Sequence, residues 1–351
     1  MSLTHLKNFF LKEKLLTLFI VIFLSLIVYK RDFPPYTQDQ LEVIFILSML
    51  FIGVNGLQKG GLLDAIARKI ERGRFISLKL LLSTFFLSMF VTNDISLIVI
   101  VPITLSLNID RKDILVILEA LLANAGSALS PIGNPQNLFI YWHYNLSIFE
   151  FVEVIAPFSI VFLFLLGTIG YFLNFEANVE KKEPKVDRIS FIYSIILFII
   201  MSSILHIIPI YYSIVAFLFA IIFDRRALIL DYSLLVIFLL FFGIVNSLDG
   251  LFNFRLESKE HTFIFSVLIS QIISNVPTAL LFAKFTSSWK ALLWGVNAGG
   301  FGSLFGSLAN LIAYRLYIRD EIARKLQFTI LFHLFNFIAL FVAILLFFLL
   351  F

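Results

Sequence analysis

Long apolar runs divided by short polar breaks make up most of the chain. The runs at residues 15–29, 41–57, 149–173, 190–208, 209–223, 227–246 and 326–351 each approach the roughly 20 residues a helix needs to cross a bilayer. Two further stretches, 114–141 and 290–314, are long enough to cross but carry Gly and Ser in the middle, with Pro131 and Pro135 in the first. They predict broken helices. A third kind of element is a pair of apolar arms around a polar tip. Residues 75–90 and 95–107 flank Thr92-Asn93-Asp94, and 262–273 and 279–287 flank Ser274-Asn275. At about 1.5 Å rise per residue each arm is too short to cross alone. Each pair therefore predicts a helix–tip–helix that enters and leaves the membrane on one side.

The breaks repeat. Asn124-Ala-Gly-Ser-Ala-Leu-Ser130-Pro-Ile-Gly133-Asn-Pro-Gln-Asn137 and Asn297-Ala-Gly-Gly-Phe-Gly-Ser303-Leu-Phe-Gly306-Ser-Leu-Ala-Asn310 share Asn-Ala-Gly-x3-Ser-x2-Gly-x3-Asn. Hydrocarbon penalises open backbone and bare amides, so such breaks survive only inside protein or around a cavity. Matching breaks in two halves point to a transporter binding site. The predicted fold class is an all-α polytopic membrane protein with two inverted-topology repeats. Each repeat holds a re-entrant hairpin and a broken transmembrane helix, giving about nine spans plus two hairpins. The chain forms one transporter domain, 1–351. Repeat one is 1–173, a cytoplasmic linker follows at 174–189, 190–208 is an inverting helix, and repeat two is 209–351.

Charge placement supports this topology. With the N-terminus in the cytoplasm and both tips re-entrant, only Lys30, Arg31, Arg255, Lys259, Lys284 and Lys290 of the 27 Lys and Arg fall outside, as the positive-inside rule expects. Making either hairpin a true span reverses everything after it and spoils the pattern. Lys7, Lys12 and Lys14 precede the first apolar run as in a signal peptide. No small-residue cleavage site follows, so the run is an uncleaved first span. Residues 60–74 interleave basic residues with Leu and Ile, as an interfacial helix or a solvated turn would.

Composition narrows the class. The chain is 60% hydrophobic and 14% charged, against about 25% charged in soluble domains, and its bulk belongs in lipid. It has no cysteine, which excludes disulfides, thiolate catalysis and Cys-ligated metal. The five His residues show no paired metal spacing, and the His-Glu-x-x-His of a zinc protease is absent. No enzymatic activity, no cofactor and no nucleic-acid partner is expected.

The candidate site gathers Thr92, Asn93, Asp94, Ser274, Asn275 and Thr278 from the tips. The breaks add Asn124, Gly126, Ser130, Gly133 and Asn137, and Asn297, Gly299, Ser303, Gly306 and Asn310. Side-chain oxygens and open carbonyls suit a small cation, with sodium ligands at Asn93, Asp94 and Asn275. Helix N-termini at the same point suit an anion. The glycines permit unusual backbone angles and close approach. The plainer alternative for each Asn is interhelical glue. Asp94 stands apart, because an intramembrane carboxylate is costly and functional by default. Its counterpart at the second tip is Val276. It binds sodium, carries a proton, or is a structural partner of a Lys or of backbone amides. Glu119 and Asp231 are proton relays or ordinary interface residues. Lys284 pairs with a carboxylate, attracts an anion, or snorkels to the surface.

The paired tips and paired broken helices resemble the ion transporter superfamily, which includes arsenite efflux permeases, citrate and dicarboxylate carriers and certain sodium–proton antiporters. Phe90-Val-Thr-Asn-Asp94, the following arm with Pro102, and residues 124–137 are most similar to its arsenite-permease and citrate-transporter-like branch. The resemblance covers nearly the whole chain. It implies secondary transport by an elevator-type movement, usually in a homodimer. Sodium-coupled dicarboxylate carriers use Ser-Asn-Thr at both tips. Thr92-Asn93 and Ser274-Asn275 match the first two positions, while Asp94 and Val276 depart at the third. The expected protein is a secondary-active transporter of a small anion or oxyanion, carboxylate or arsenite-like, coupled to sodium or protons. The alternative is a sodium–proton antiporter with no organic substrate. Its expected place is the plasma (inner) membrane, multi-pass, with the N-terminus cytoplasmic.

Overall fold

The computed structural model describes residues 14–68, 74–107, 109, 111–173, 186–230, 232–247, 255–319 and 323–351. Every regular element among them is helical. In chain order these are α1 Lys14–Lys30, α2 Gln38–Lys59, α3 Leu62–Arg68, α4 Ile76–Val91, α5 Asn93–Ser106, α6 Lys112–Ala128, α7 Pro135–His143 and α8 Ile148–Phe172. After α9 Arg188–Ile204, a 3-10 turn Ile210–Ile214 leads into α10 Val215–Phe223, and a second, Arg225–Leu228, precedes α11 Ser233–Ser247. The remainder are α12 Lys259–Ile273, α13 Asn275–Ala283, α14 Trp289–Ala298, α15 Leu308–Ile318 and α16 Lys325–Leu350.

Capping residues decide where apolar sequence becomes helix. The Thr37 hydroxyl accepts from Gln40 N at 3.3 Å while Gln40 Oε1 accepts from Thr37 N at 3.1 Å, a reciprocal box that satisfies two orphan donors. Ser147 and Glu150 do the same for α8, and Asp187 caps α9. The helices α2, α8 and α16 are long and apolar enough to cross a membrane unaided. The helices α1, α9 and α11 are apolar but fall short of about 20 residues. The span expected from residue 227 becomes α-helix only at Ser233, because Arg225–Leu228 is a 3-10 turn. Within residues 60–74, Leu62–Arg68 is helical, in favour of a helix over a turn. Asp231 and linker residues 174–185 lie outside the described residues.

Packing separates a central group from its flanks. In the centre α4 lies on α5 and α6, and α12 on α13 and α14. The two sets cross over: α5 packs on α15, and α7 on α13. At the flanks α2 pairs with α9 and α1 with α11. Arg226 ties one edge, pairing with Asp224 at 2.7 Å and Asp187 at 3.2 Å, while Asn55 Nδ2 donates to Ala227 O at 2.8 Å. Phe164, Phe198 and Leu349 are exposed on α8, α9 and α16, the surface that a lipid solvent would cover.

Candidate functional site

Two strained residues mark the tips. Thr92, between α4 and α5, has φ 79° and ψ 153°. Ser274, between α12 and α13, has φ 76° and ψ 157°. That region is nearly glycine-only and costs about 1–3 kcal/mol for other residues. Each tip is held by the same contact: Asn93 N donates to Gly133 O at 3.1 Å, and Asn275 N to Gly306 O at 3.0 Å. Each tip thus docks on the second signature glycine of the break that follows it in the chain. Thr278 Oγ1 closes the second tip by donating to Ser274 O at 2.8 Å.

The breaks are organised by amides. Asn134 caps α7 by accepting from Asn137 N at 3.0 Å, with Pro135 at the first helical position, where its missing N–H is harmless. Ser307 caps α15 by accepting from Ala309 N at 3.2 Å. Asn137 Nδ2 donates to Ala128 O at 3.1 Å and Ser127 O at 3.2 Å. Asn310 Nδ2 donates to Gly300 O at 2.8 Å and Ser303 O at 3.1 Å. These bonds satisfy carbonyls that a helix end leaves without partners. The Ser130 hydroxyl, in contrast, only accepts from Ile132 N at 3.1 Å among the described residues.

The two breaks then bond to each other. Asn124 Nδ2 donates to Asn310 Oδ1 at 2.9 Å, and Asn297 Nδ2 donates to Asn137 Oδ1 at 2.8 Å. All four residues are buried. The arrangement is not symmetric beyond that point. Asn124 Oδ1 also accepts from Asn93 Nδ2 at 3.1 Å and Ser307 Oγ at 3.0 Å. The matching groups, Asn275 Nδ2 and Asn297 Oδ1, have no hydrogen-bond partner among the described residues. A Cβ on Gly300 would lie 3.2 Å from Asn275 Nδ2 and 3.6 Å from Asn124 Oδ1, so both amides converge beside Gly300. The centre therefore offers one open donor and one open acceptor on the second half.

Two further carboxylates matter, Asp94 beside the cluster at the first tip and Glu119 on α6 away from it. Asp94 N donates to Asn93 Oδ1 at 3.0 Å, while Asp94 Oδ1 is enclosed with no partner among the described residues. Glu119 on α6 is fully buried; its Oε1 accepts from Thr104 Oγ1 and its Oε2 is enclosed without a partner among the described residues. An ordinary interface position is thereby ruled out for Glu119. Lys284 Nζ donates to Val245 O at 3.2 Å. No group of three or more His, Asp or Glu side chains suited to a metal occurs among the described residues.

The signature glycines are packed, not merely permissive. A Cβ on Gly126 would lie 2.3 Å from Phe85 O, on Gly133 2.3 Å from Ser127 O, and on Gly306 2.5 Å from Gly299 O. On Gly299 it would lie 2.5 Å from Ser270 Cβ. Backbone cannot yield as a side chain can. Gly133→Ala is expected to lower stability by about 1–3 kcal/mol, measured as a fall in melting temperature of the purified protein. A melting point equal to native refutes the close packing.

Sequence reasoning missed Asn134, Ser307 and Gln271. Asn134 and Ser307 occupy matching places in the two signatures, so the repeat itself carried their signal. Gln271 has none: its Nε2 donates to Gly299 O at 2.9 Å and its Oε1 accepts from Ser303 N at 2.7 Å, bracing the second break from α12.

A profile for the citrate transporter family matches residues 9–288. The chain belongs to this family. Among its relatives, "uncharacterized transporter MJ0456" of Methanocaldococcus jannaschii is 34% identical over 291 residues, spanning 78% of this chain and 80% of that protein. Inner membrane protein YbiR of Escherichia coli is 33% identical over 301 residues, spanning 78% and 79%. Silicon efflux transporter LSI3 of Oryza sativa subsp. japonica is 29% identical over 130 residues, 35% of this chain and 27% of that protein. This citrate transporter family member is accordingly a multi-pass membrane transporter and not an enzyme. The expected citrate-transporter-like resemblance is borne out.

Proposed function

We propose that this chain is a secondary-active transporter of a small anion or oxyanion, driven by sodium or protons. The carrying observation is the crossed asparagine pair, Asn124 to Asn310 and Asn297 to Asn137, with a strained tip docked on each break. It supports two inverted-topology repeats, 1–173 and 209–351, joined by the linker 174–189 and the inverting helix 190–208. In this reading α4–α5 and α12–α13 are re-entrant hairpins and α6–α7 and α14–α15 are broken spans. Helices α5, α7, α13 and α15 all begin at the cluster. Their N-terminal dipole ends attract a substrate's negative oxygens, and the open Asn275 donor bonds one of them. Asn297 Oδ1 and Asp94 Oδ1 serve the coupling cation. The name of the silicon efflux relative favours an oxyacid or oxyanion cargo.

Transport proceeds by movement of the hairpins and broken helices against the flanking helices, in a homodimer in the plasma membrane with the N-terminus cytoplasmic. Sodium or proton is the coupling ion, and no other cofactor takes part. The test is the melting temperature of purified protein against carboxylates, arsenite and other oxyanions, in sodium and in potassium buffer. A ligand at 100 times its Kd adds about 2.7 kcal/mol. An anion-dependent rise present only in sodium establishes a sodium-coupled carrier. A response to sodium or pH alone, with none to any anion, replaces this reading with a sodium–proton antiporter.

A further inference from the structure

A cavity of about 840 Å³ opens where α7, α9, α11 and α13 end and α2 begins, within the size range of small-molecule sites. Its wall includes Asp39, Glu42, His143, His206 and Lys284. So many charged and titratable groups suit water and a hydrophilic solute, and would repel a lipid tail. The signature arms lead to it. α7 runs from the first break to His143 and α13 from the second tip to Ala283, and both of those residues line the cavity. The central cluster and the cavity therefore lie at opposite ends of the same two short helices.

Part of the cavity wall is apolar. Phe139 on α7, Phe242 on α11 and Leu280 on α13 all line the cavity, and Phe139 and Phe242 are in ring contact at 5.7 Å. Residues three and four apart share a helix face. On α7 the face of Phe139 continues to His143 in one direction and to Gln136 in the other. On α13 the face of Leu280 continues to Lys284 and, inward, to Val276. Gln136 is 2% exposed, and its amide has no hydrogen-bond partner among the described residues. Its amide atoms are not among the enclosed unpartnered ones, so the little accessible surface that Gln136 keeps includes an amide open to a hydrogen bond from water or cargo.

We propose that this cavity is the outer vestibule of the transport path. Phe139, Phe242 and Leu280 close it from the central cluster, and Gln136 is the first group behind the closure to bind the hydrogen-bonding oxygens of the cargo. The inference rests on the transporter reading above and on its cytoplasmic N-terminus, which places these helix ends outside.

The chain has no cysteine, so single cysteines can be introduced directly and probed with a charged, membrane-impermeant maleimide added to intact cells. Ile208→Cys, on the vestibule wall, should label from outside. Gln136→Cys and Val276→Cys, behind the closure, should resist labelling in the otherwise native chain. Adding Phe139→Ala should speed labelling of both by at least about tenfold, equivalent to about 1.4 kcal/mol off the opening free energy. Phe242→Ala provides a second opening of the same closure if Phe139→Ala fails to fold. Ile208→Cys that labels only in permeabilised cells, or inner cysteines whose rates are unchanged in a folded gate variant, overturns the proposal. Labelling requires no transport. A confirmed vestibule with no anion response in the melting panel therefore defeats the anion-carrier reading alone, and a positive panel with a sealed cavity defeats this one alone.

Discussion

Asn124→Ala is expected to be among the most destabilising single substitutions in this protein. The Asn124 side chain is saturated: its Nδ2 donates to Asn310 Oδ1 and Ala120 O, and its Oδ1 accepts from Asn93 Nδ2 and Ser307 Oγ. One interhelical hydrogen bond inside a membrane protein is worth only about 0.6–2 kcal/mol. Deletion does something different, because it leaves three buried polar groups on other elements unpaired, Asn310 Oδ1, Asn93 Nδ2 and the Ser307 hydroxyl proton, each at about 1–3 kcal/mol. The orphaning term exceeds the bond term. It falls on the junction of the first tip, the first break and the second break together. We expect Asn124→Ala to lose its sharp melting transition in detergent and to show no ligand-induced stabilisation. Asn297→Ala should be milder, since Asn297 Oδ1 has no partner to orphan among the described residues. Equal melting points for Asn124→Ala and the native chain would show that the crossed pair does not hold the site together.

Asp94→Asn carries the second large effect, on coupling and not on folding. Asn is nearly the same size, and the backbone bond from Asp94 N to Asn93 Oδ1 is untouched. What is lost is the charge at an enclosed oxygen that no group among the described residues satisfies. If a bound ion and the cargo communicate through this carboxylate, the ion changes cargo affinity by about 5–150-fold, the usual range of coupling energies. In Asp94→Asn that ratio should fall to about one, with the anion still raising the melting point. The comparison is the anion's apparent Kd with and without sodium, and at two pH values, in both proteins. A ratio preserved in Asp94→Asn removes Asp94 from the coupling mechanism and makes Glu119, fully buried with its own enclosed Oε2, the next carboxylate to test.

Much of this protein follows from its sequence alone. Apolar periodicity and length were enough to find the helices, because a helix in lipid must be apolar and must satisfy its backbone internally. The arms on either side of Thr92 and Ser274 are separate helices, as their polar tips predicted. The repeated signature named the asparagines that meet, because only a paired function or a paired structure preserves Gly and Asn at matching spacing. Even the caps Asn134 and Ser307 were present in that repeat, one residue beyond the two glycines.

Tertiary structure alone decided which half stays open. Asn93 and Asn275 are equivalent in sequence, yet one is bonded to Asn124 while the other has no partner among the described residues. That difference comes from how α5, α6 and α15 meet, across separations of 31 and 183 residues. It also decided the depth of Glu119, which sequence left between relay and interface: burial depends on what packs over a helix face, and α4, α5 and α8 all lie against α6. Gln271 and the vestibule carry no sequence signal for the same reason. A brace or a cavity is a relation among faces of distant helices, and a linear pattern states which faces are apolar without stating which of them will touch.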